Sequence, residues 1–186
     1  MKNRPPPGTV RLADLCHHRW AIPVVAELHL RRGAKFVTLR NALKVSPDSL
    51  RRTLESLAER GLVERNPGYG HPMRPEWILT MAGKRLGPPC VAVHRGVRRL
   101  GVGGAAARKW TLPVLLTLRP GVARFSEIER ALPAVTARAL TRTLRDMEAA
   151  GMVRREVLPS RPPSVTYRVE PRARGILPDL ESLSTR

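Results

Sequence analysis

A chain that repeats itself folds as copies of one unit, and here the repeat runs over nearly the whole length. Arg19-Trp20-Ala21-Ile22-Pro23-Val24 reads against Lys109-Trp110-Thr111-Leu112-Pro113-Val114, a displacement of 90 residues. The same displacement carries Leu28 onto Leu118, Val45-Ser46 onto Val135-Thr136, Leu50 onto Leu140 and Thr53-Leu54 onto Thr143-Leu144. It continues through Gly61 and Gly151, Val63 and Val153, Arg65 and Arg155, Pro72 and Pro162, and Pro88 and Pro178. A single-residue gap sets Phe36 on Phe125 and Leu43 on Leu132 before the register returns. Each copy, of roughly 85 residues, is long enough to bury a core of its own. The expected organisation is a flexible basic N-terminus over residues 1–10, a first unit over 11–95 and a second over 96–186. The glycine-rich stretch Gly96 to Gly104 reads as the connector, because it lacks the Lys-Ser/Thr that completes a phosphate-binding loop.

Within the second unit, Trp110, Val114, Leu115 and Leu118 keep helical spacing, with Pro113 tolerable near the helix start. After Pro120-Gly121, Phe125, Ile128 and Leu132 predict a short second helix stopping at Pro133. Thr136 is a good N-cap for a third helix, with Leu140, Leu144 and Met147 on one face and Gly151 as its stop. Two strand-like stretches follow, Met152 to Val157 and Ser164 to Val169, around a proline-rich tip. The first unit runs the same course, with Ser46 as N-cap, Leu50, Leu54 and Leu57 on one face, Gly61 as stop and a hairpin ending near Trp77. Trp77 and Tyr167 fall at matching positions on the second hairpin strand and are expected to pack on the core. The pattern is helix, turn, helix and wing, twice. The expected fold class is therefore α+β, mostly helical, as two tandem winged helix-turn-helix domains.

The 34 Lys+Arg against 15 Asp+Glu give a formal net charge of +19, which points to a polyanionic partner. Up to Arg95 there are 17 basic and 7 acidic residues, and beyond it 17 and 8, so both units share the charge. Charge alone suits DNA, RNA or an anionic membrane surface equally. No run of 18 apolar residues is present, and the proline-rich start lacks an apolar signal core, so no membrane association and a cytoplasmic, nucleoid-associated setting are expected. The two cysteines, Cys16 and Cys90, have neither metal-ligand nor disulfide-framework spacing, and the five histidines show no ligand pattern. No nucleophile motif is visible, so the reading is a non-enzyme without cofactor or metal.

Several of these residues together resemble the HxlR-type winged-helix transcription regulators, a branch close to the MarR-type regulators. The second unit carries the resemblance best, in Lys109-Trp110-Thr111-Leu112-Pro113-Val114-Leu115, Arg124-Phe125-Ser126-Glu127-Ile128, the Leu140 to Leu144 helix, Gly151-Met152-Val153-Arg154-Arg155 and Pro162-Pro163-Ser164-Val165-Thr166-Tyr167. The first unit looks like a worn copy. The resemblance implies one winged helix per chain acting as a homodimer, whereas this chain supplies both units itself. Some members of the family sense oxidants through a cysteine about a dozen residues before the tryptophan. Cys16 lies four residues before Trp20 and Cys90 twenty before Trp110, so that role is not carried over.

The third helix of each unit is the expected recognition element, and the face opposite its leucine stripe is the reading face. In the second unit that face presents Arg138, Arg142 and Arg145, flanked by Thr141. Arginine suits guanine edges through its fork and phosphates through its charge. The first unit presents Asp48, Arg52 and Glu55, with Ser49 and Arg51 at the flanks, and is expected to make a weaker contact. Arg74 and Arg161 at the wing tips, Arg65, Arg154 and Arg155 on the strands, and Lys35 and Arg124 beside the second helix complete the expected phosphate contacts. The expected partner is double-stranded DNA, read by a transcription regulator working as a pseudo-dimer on one chain. A homodimer through the terminal helices, by Leu177, Leu180 and Leu183, is the further association considered. The alternative is an architectural or protein-docking tandem winged-helix protein without strong sequence preference. Nothing in the sequence identifies a small-molecule effector.

Overall fold

A computed structural model describes residues 12–66, 76–159 and 164–184. The first unit comprises α1 (Leu12–Leu15), α2 (Ala21–Arg31), α3 (Phe36–Leu43), α4 (Pro47–Glu59), β1 (Val63–Asn66), β2 (Glu76–Leu79) and α5 (Met81–Leu100). The second comprises α6 (Gly103–Ala106), α7 (Thr111–Thr117), β3 (Ala123–Arg124), α8 (Phe125–Ala131), α9 (Ala137–Ala149), β4 (Val153–Leu158), β5 (Ser164–Val169), α10 (Pro171–Arg174) and α11 (Leu177–Ser184). Residues 1–10 lie outside the described residues.

The third helices form for the reasons their sequences suggest. The hydroxyls of Ser46 and Thr136 accept from the backbone N–H of Ser49 and Ala139 at 3.4 and 3.2 Å, satisfying an otherwise orphaned donor at each helix start. Leu50, Thr53, Leu54 and Leu57 are buried on α4, and Leu140, Thr143, Leu144 and Met147 on α9, so the two stripes match position for position. Each helix leaves through a glycine in the left-handed region, Gly61 at φ 67° and Gly151 at φ 63°, where a side chain would be strained. In α2 and α7, Pro23 and Pro113 occupy the first turn, where no backbone donor is needed.

The wings are antiparallel hairpins. Val63 stands opposite Leu79 in β1–β2, and Val153 opposite Val169 in β4–β5. In the second unit β3 adds a third strand, with Ala123 opposite Tyr167; in the first, the equivalent contact is the single bridge Ala34 to Trp77. Tyr167 is buried and Trp77 half-buried against the core, as their matching positions lead one to expect.

One expectation is corrected. The connector over Gly96 to Gly104 is largely helical: α5 runs unbroken to Leu100 with Pro88 and Pro89 inside it, only Gly101 and Val102 separate the helices, and α6 begins at Gly103. Gly96 is a close approach, since a Cβ there would collide with the Ile176 side chain. Leu177, Leu180 and Leu183 are the residues considered above for an association between chains. All three are buried within one chain, because α11 packs on α5 and α7, and α1 packs on α7 and α11. The seam is tied further by the Arg172 guanidinium, which donates to the Leu100 carbonyl at 2.6 Å and so satisfies the end of α5. The buried residues of both units form one continuous core.

Candidate nucleic-acid interface

Burying the leucine stripe of α9 necessarily turns its other face outward, and Arg138, Thr141, Arg142 and Arg145 are all exposed there. None of the three arginines is in an ion pair with the other described residues. The Thr141 hydroxyl donates to the Ala137 carbonyl at 2.8 Å, leaving its lone pairs outward. Asp146, at the edge of the same helix, is instead held by Arg108 in the α6–α7 turn at 2.8 Å. That pair anchors α9 to the unit's base and removes the nearest carboxylate from its reading face.

On α4 the pattern of exposure is the same but the chemistry differs. Asp48, Arg51, Arg52 and Glu55 are exposed. Arg51 is paired with Asp48 at 3.1 Å, and the Ser49 hydroxyl accepts from that of Ser46 at 2.9 Å, so two of the expected contacts are engaged in the helix's own first turn. Beside α4 lies a groove of about 570 Å³ lined by Phe36, Leu54, Ala58 and Trp77, with Glu55, Glu59, Arg51 and Arg65 along it. Two acids and two arginines leave this groove without the single sign of charge that the α9 face carries.

The flanking cations divide likewise. Lys35 and Arg124 are exposed residues capping α3 and α8, and the Arg124 N–H donates to the Glu127 carboxylate at 2.6 Å, fixing the helix start. Arg155 is exposed on β4, whereas Arg154 is bound to Glu170 at 2.6 Å, and that carboxylate raises the guanidinium's pKa. Arg65 lies with its guanidinium carbon 5.1 Å from the centre of the Trp77 ring. Arg74 and Arg161 lie outside the described residues. Sequence reasoning missed the roles of Arg108 and Glu170, because each meets a partner brought near by folding and not by any local spacing.

The cysteines are buried, Cys16 with its pKa pushed up to about 12 by desolvation and Cys90 raised further by the same cause and by Cys16. Among the described residues no group of three or more His, Cys, Asp or Glu is arranged to hold a metal, and no helix is long and apolar enough to cross a membrane.

The family model described as HxlR-like helix-turn-helix matches residues 15–99 and again 106–185. The chain belongs to the HxlR-like family. It carries two copies of that helix-turn-helix domain in one polypeptide. Among its relatives, an uncharacterized HTH-type transcriptional regulator of Methanothermobacter thermautotrophicus is 47% identical over 75 residues, which are 40% of this chain and 57% of that protein. The regulator YvaP of Bacillus subtilis, also uncharacterized, is 33% identical over 78 residues, 42% of this chain and 72% of its own length. A solved structure of a MarR-family transcriptional regulator from Enterococcus faecalis is 33% identical, covers 50% of this chain and 78% of that one, and has a TM-score of 0.40. The HxlR-like chain therefore spans a little over half of the first relative.

Proposed function

We propose that this HxlR-like chain is a DNA-binding transcription regulator in which one polypeptide carries both winged units of a pseudo-dimer. The observation that carries the reading is the exposed face of α9, where Arg138, Arg142 and Arg145 stand without acidic partners among the described residues on a helix whose other face is locked in the core. A net charge of +19 supplies the long-range attraction to a polyanion. The packing of α11 on α5 supports the pseudo-dimer, since it fills within the chain the apolar faces that would otherwise seek a second copy.

Unlike faces on α4 and α9 imply unlike half-sites, so the target is a non-palindromic sequence. Arg138, Arg142 and Arg145 read bases or phosphates, Arg155, Lys35 and Arg124 contact the backbone, and α4 contributes less. Selection from a random duplex pool, followed by titration across a salt series, tests the reading. One enriched asymmetric site, preferred over random duplex at every salt concentration, is the expected result. A steep salt dependence with no enriched site would instead establish the coating or docking alternative, which Asp48 and Glu55 on the exposed face of α4 favour for the first unit.

A further inference from the structure

Between the two units lies a cleft of about 200 Å³, walled by the α1–α2 turn, the C-terminal half of α5, and α6 with the start of α7. Apolar cavities of about 150 Å³ admit benzene, so there is room for one or two fused rings. Its walls are apolar: Trp20, Val93, Val97 and Leu112 all line it. Two pairs of repeat-related residues, Cys16 with Ala106 and Ile22 with Leu112, face it from opposite units, so the cleft spans the relation between the units and occurs once across it.

The polar groups around it are of one sign. Arg19, Arg98, His18 and His94 line the cleft, and no carboxylate among the described residues does. Arg19 and Arg98 are exposed, and the Arg19 guanidinium lies 4.7 Å from the centre of the Trp20 ring, which sets a cation beside an aromatic wall. Glu27, the acid that acts on His94, is already paired with Arg31 at 2.8 Å. Burial first, and Arg98 second, lower the His94 pKa, so its ring is neutral near pH 7 and able to hydrogen-bond without repelling or demanding charge.

We propose that this cleft binds one small aromatic anion per chain, its rings against Trp20, Val93 and Leu112 and its anionic group at Arg19 and Arg98. The assignment stands independently of whether the chain binds DNA. Calorimetric titration of the full chain with 2-naphthoate, and with uncharged 2-naphthamide of the same shape, tests it. One naphthoate per chain is expected, bound about tenfold more tightly than the amide because a charge-assisted contact is gained. Arg19→Gln with Arg98→Gln, both at exposed positions, should erase the preference while sparing amide binding. Ala107→Phe should block both compounds, and Val97→Phe provides the same test should the first variant not fold by circular dichroism. Several naphthoates per chain, equal affinity for the two compounds, binding indifferent to the filled cleft, or no binding at all would each overturn the proposal.

Discussion

α4 and α9 are built on the same frame and present different chemistry. Both are capped by a hydroxyl, both bury four residues at the same spacing, and both end at a left-handed glycine. Yet where α9 shows Arg138, Arg142 and Arg145, α4 shows Asp48, Arg52 and Glu55. The inward face of a helix in this fold is constrained by packing, and the outward face only by what it touches. The duplicated units have therefore kept their cores alike while their surfaces have separated. A symmetric homodimer cannot do this, since any change on one reading face appears on both. Both units on one chain let the two outward faces differ while the α5–α11 seam holds the units together.

The largest expected effect breaks the comparison at that seam. Leu180 is fully buried where the first unit has Cys90, and Leu180→Ala should cost about 2–5 kcal/mol, the range for leucine truncation in a packed core. Denaturant melts followed by circular dichroism and by tryptophan fluorescence would measure it. The units share one core, so a single transition is expected by both probes, merely shifted in the variant. Two separated transitions in the unaltered chain would mean that the units fold independently and that the seam fixes nothing.

Next comes the contrast between the reading faces. A desolvated arginine contact to a base is worth about 1–3 kcal/mol, so Arg142→Ala should weaken binding to a selected site about tenfold or more. Arg52→Ala should cost less, because the face it stands on also carries Glu55, whose charge repels phosphate. Paired titrations on one site at one salt concentration decide it. Equal losses would make the units equivalent readers, and a loss confined to Arg52→Ala would invert the assignment.

How much of this was legible in the sequence depends on which interactions are local. The caps Ser46 and Thr136, the leucine stripes and the glycine stops are short-range patterns, and the structure places them where the periodicity put them. Even the one-residue gap in the repeat is real: it falls before Ala34 and Ala123, which hold equivalent places opposite Trp77 and Tyr167. What the sequence misled about was α5. The stretch Gly96 to Gly104 reads as a connector, whereas α5 runs through Gly96 to Leu100, and Gly83, Gly87 and Gly96 are approach points, where a Cβ would collide with Leu62, His29 and Ile176. A glycine that loosens a chain and one that lets two elements touch look identical until the neighbour is known. The Arg108–Asp146 and Arg154–Glu170 pairs were hidden for the same reason.

A smaller effect would sharpen the contrast by moving α4 toward α9. Asp48→Asn removes a negative charge from the first turn of α4 and releases Arg51 from its 3.1 Å pair. Exposed pairs of this kind contribute at most about 1 kcal/mol, so stability should hardly change. DNA affinity should rise by about twofold to fivefold at low salt, an electrostatic gain that fades as salt is added. Unchanged affinity across the salt series would place α4 away from the DNA altogether.

The smallest expected effect concerns the cysteines, which occupy positions held by Ala106 and Leu180 in the second unit and so stand as core residues. Burial pushes the Cys16 thiol up to about 12 and raises Cys90 as well, so neither is a thiolate near pH 8. In the unfolded chain both thiols would ionise near their ordinary value, whereas the folded chain keeps them protonated. The unfolded state therefore binds fewer protons above that value, and the stability from these thiols, intact below about pH 8.5, falls as pH rises toward the folded values. Cys16→Ala, which installs the residue of the other unit, should flatten part of that alkaline loss while leaving DNA affinity unchanged. Adding hydrogen peroxide at pH 7 should likewise leave the affinity of the unaltered chain and of the variant the same. An oxidant response present in the unaltered chain and absent in Cys16→Ala would show that the thiol opens to solvent, and that the first unit differs from the second in sensing as well as in its reading face.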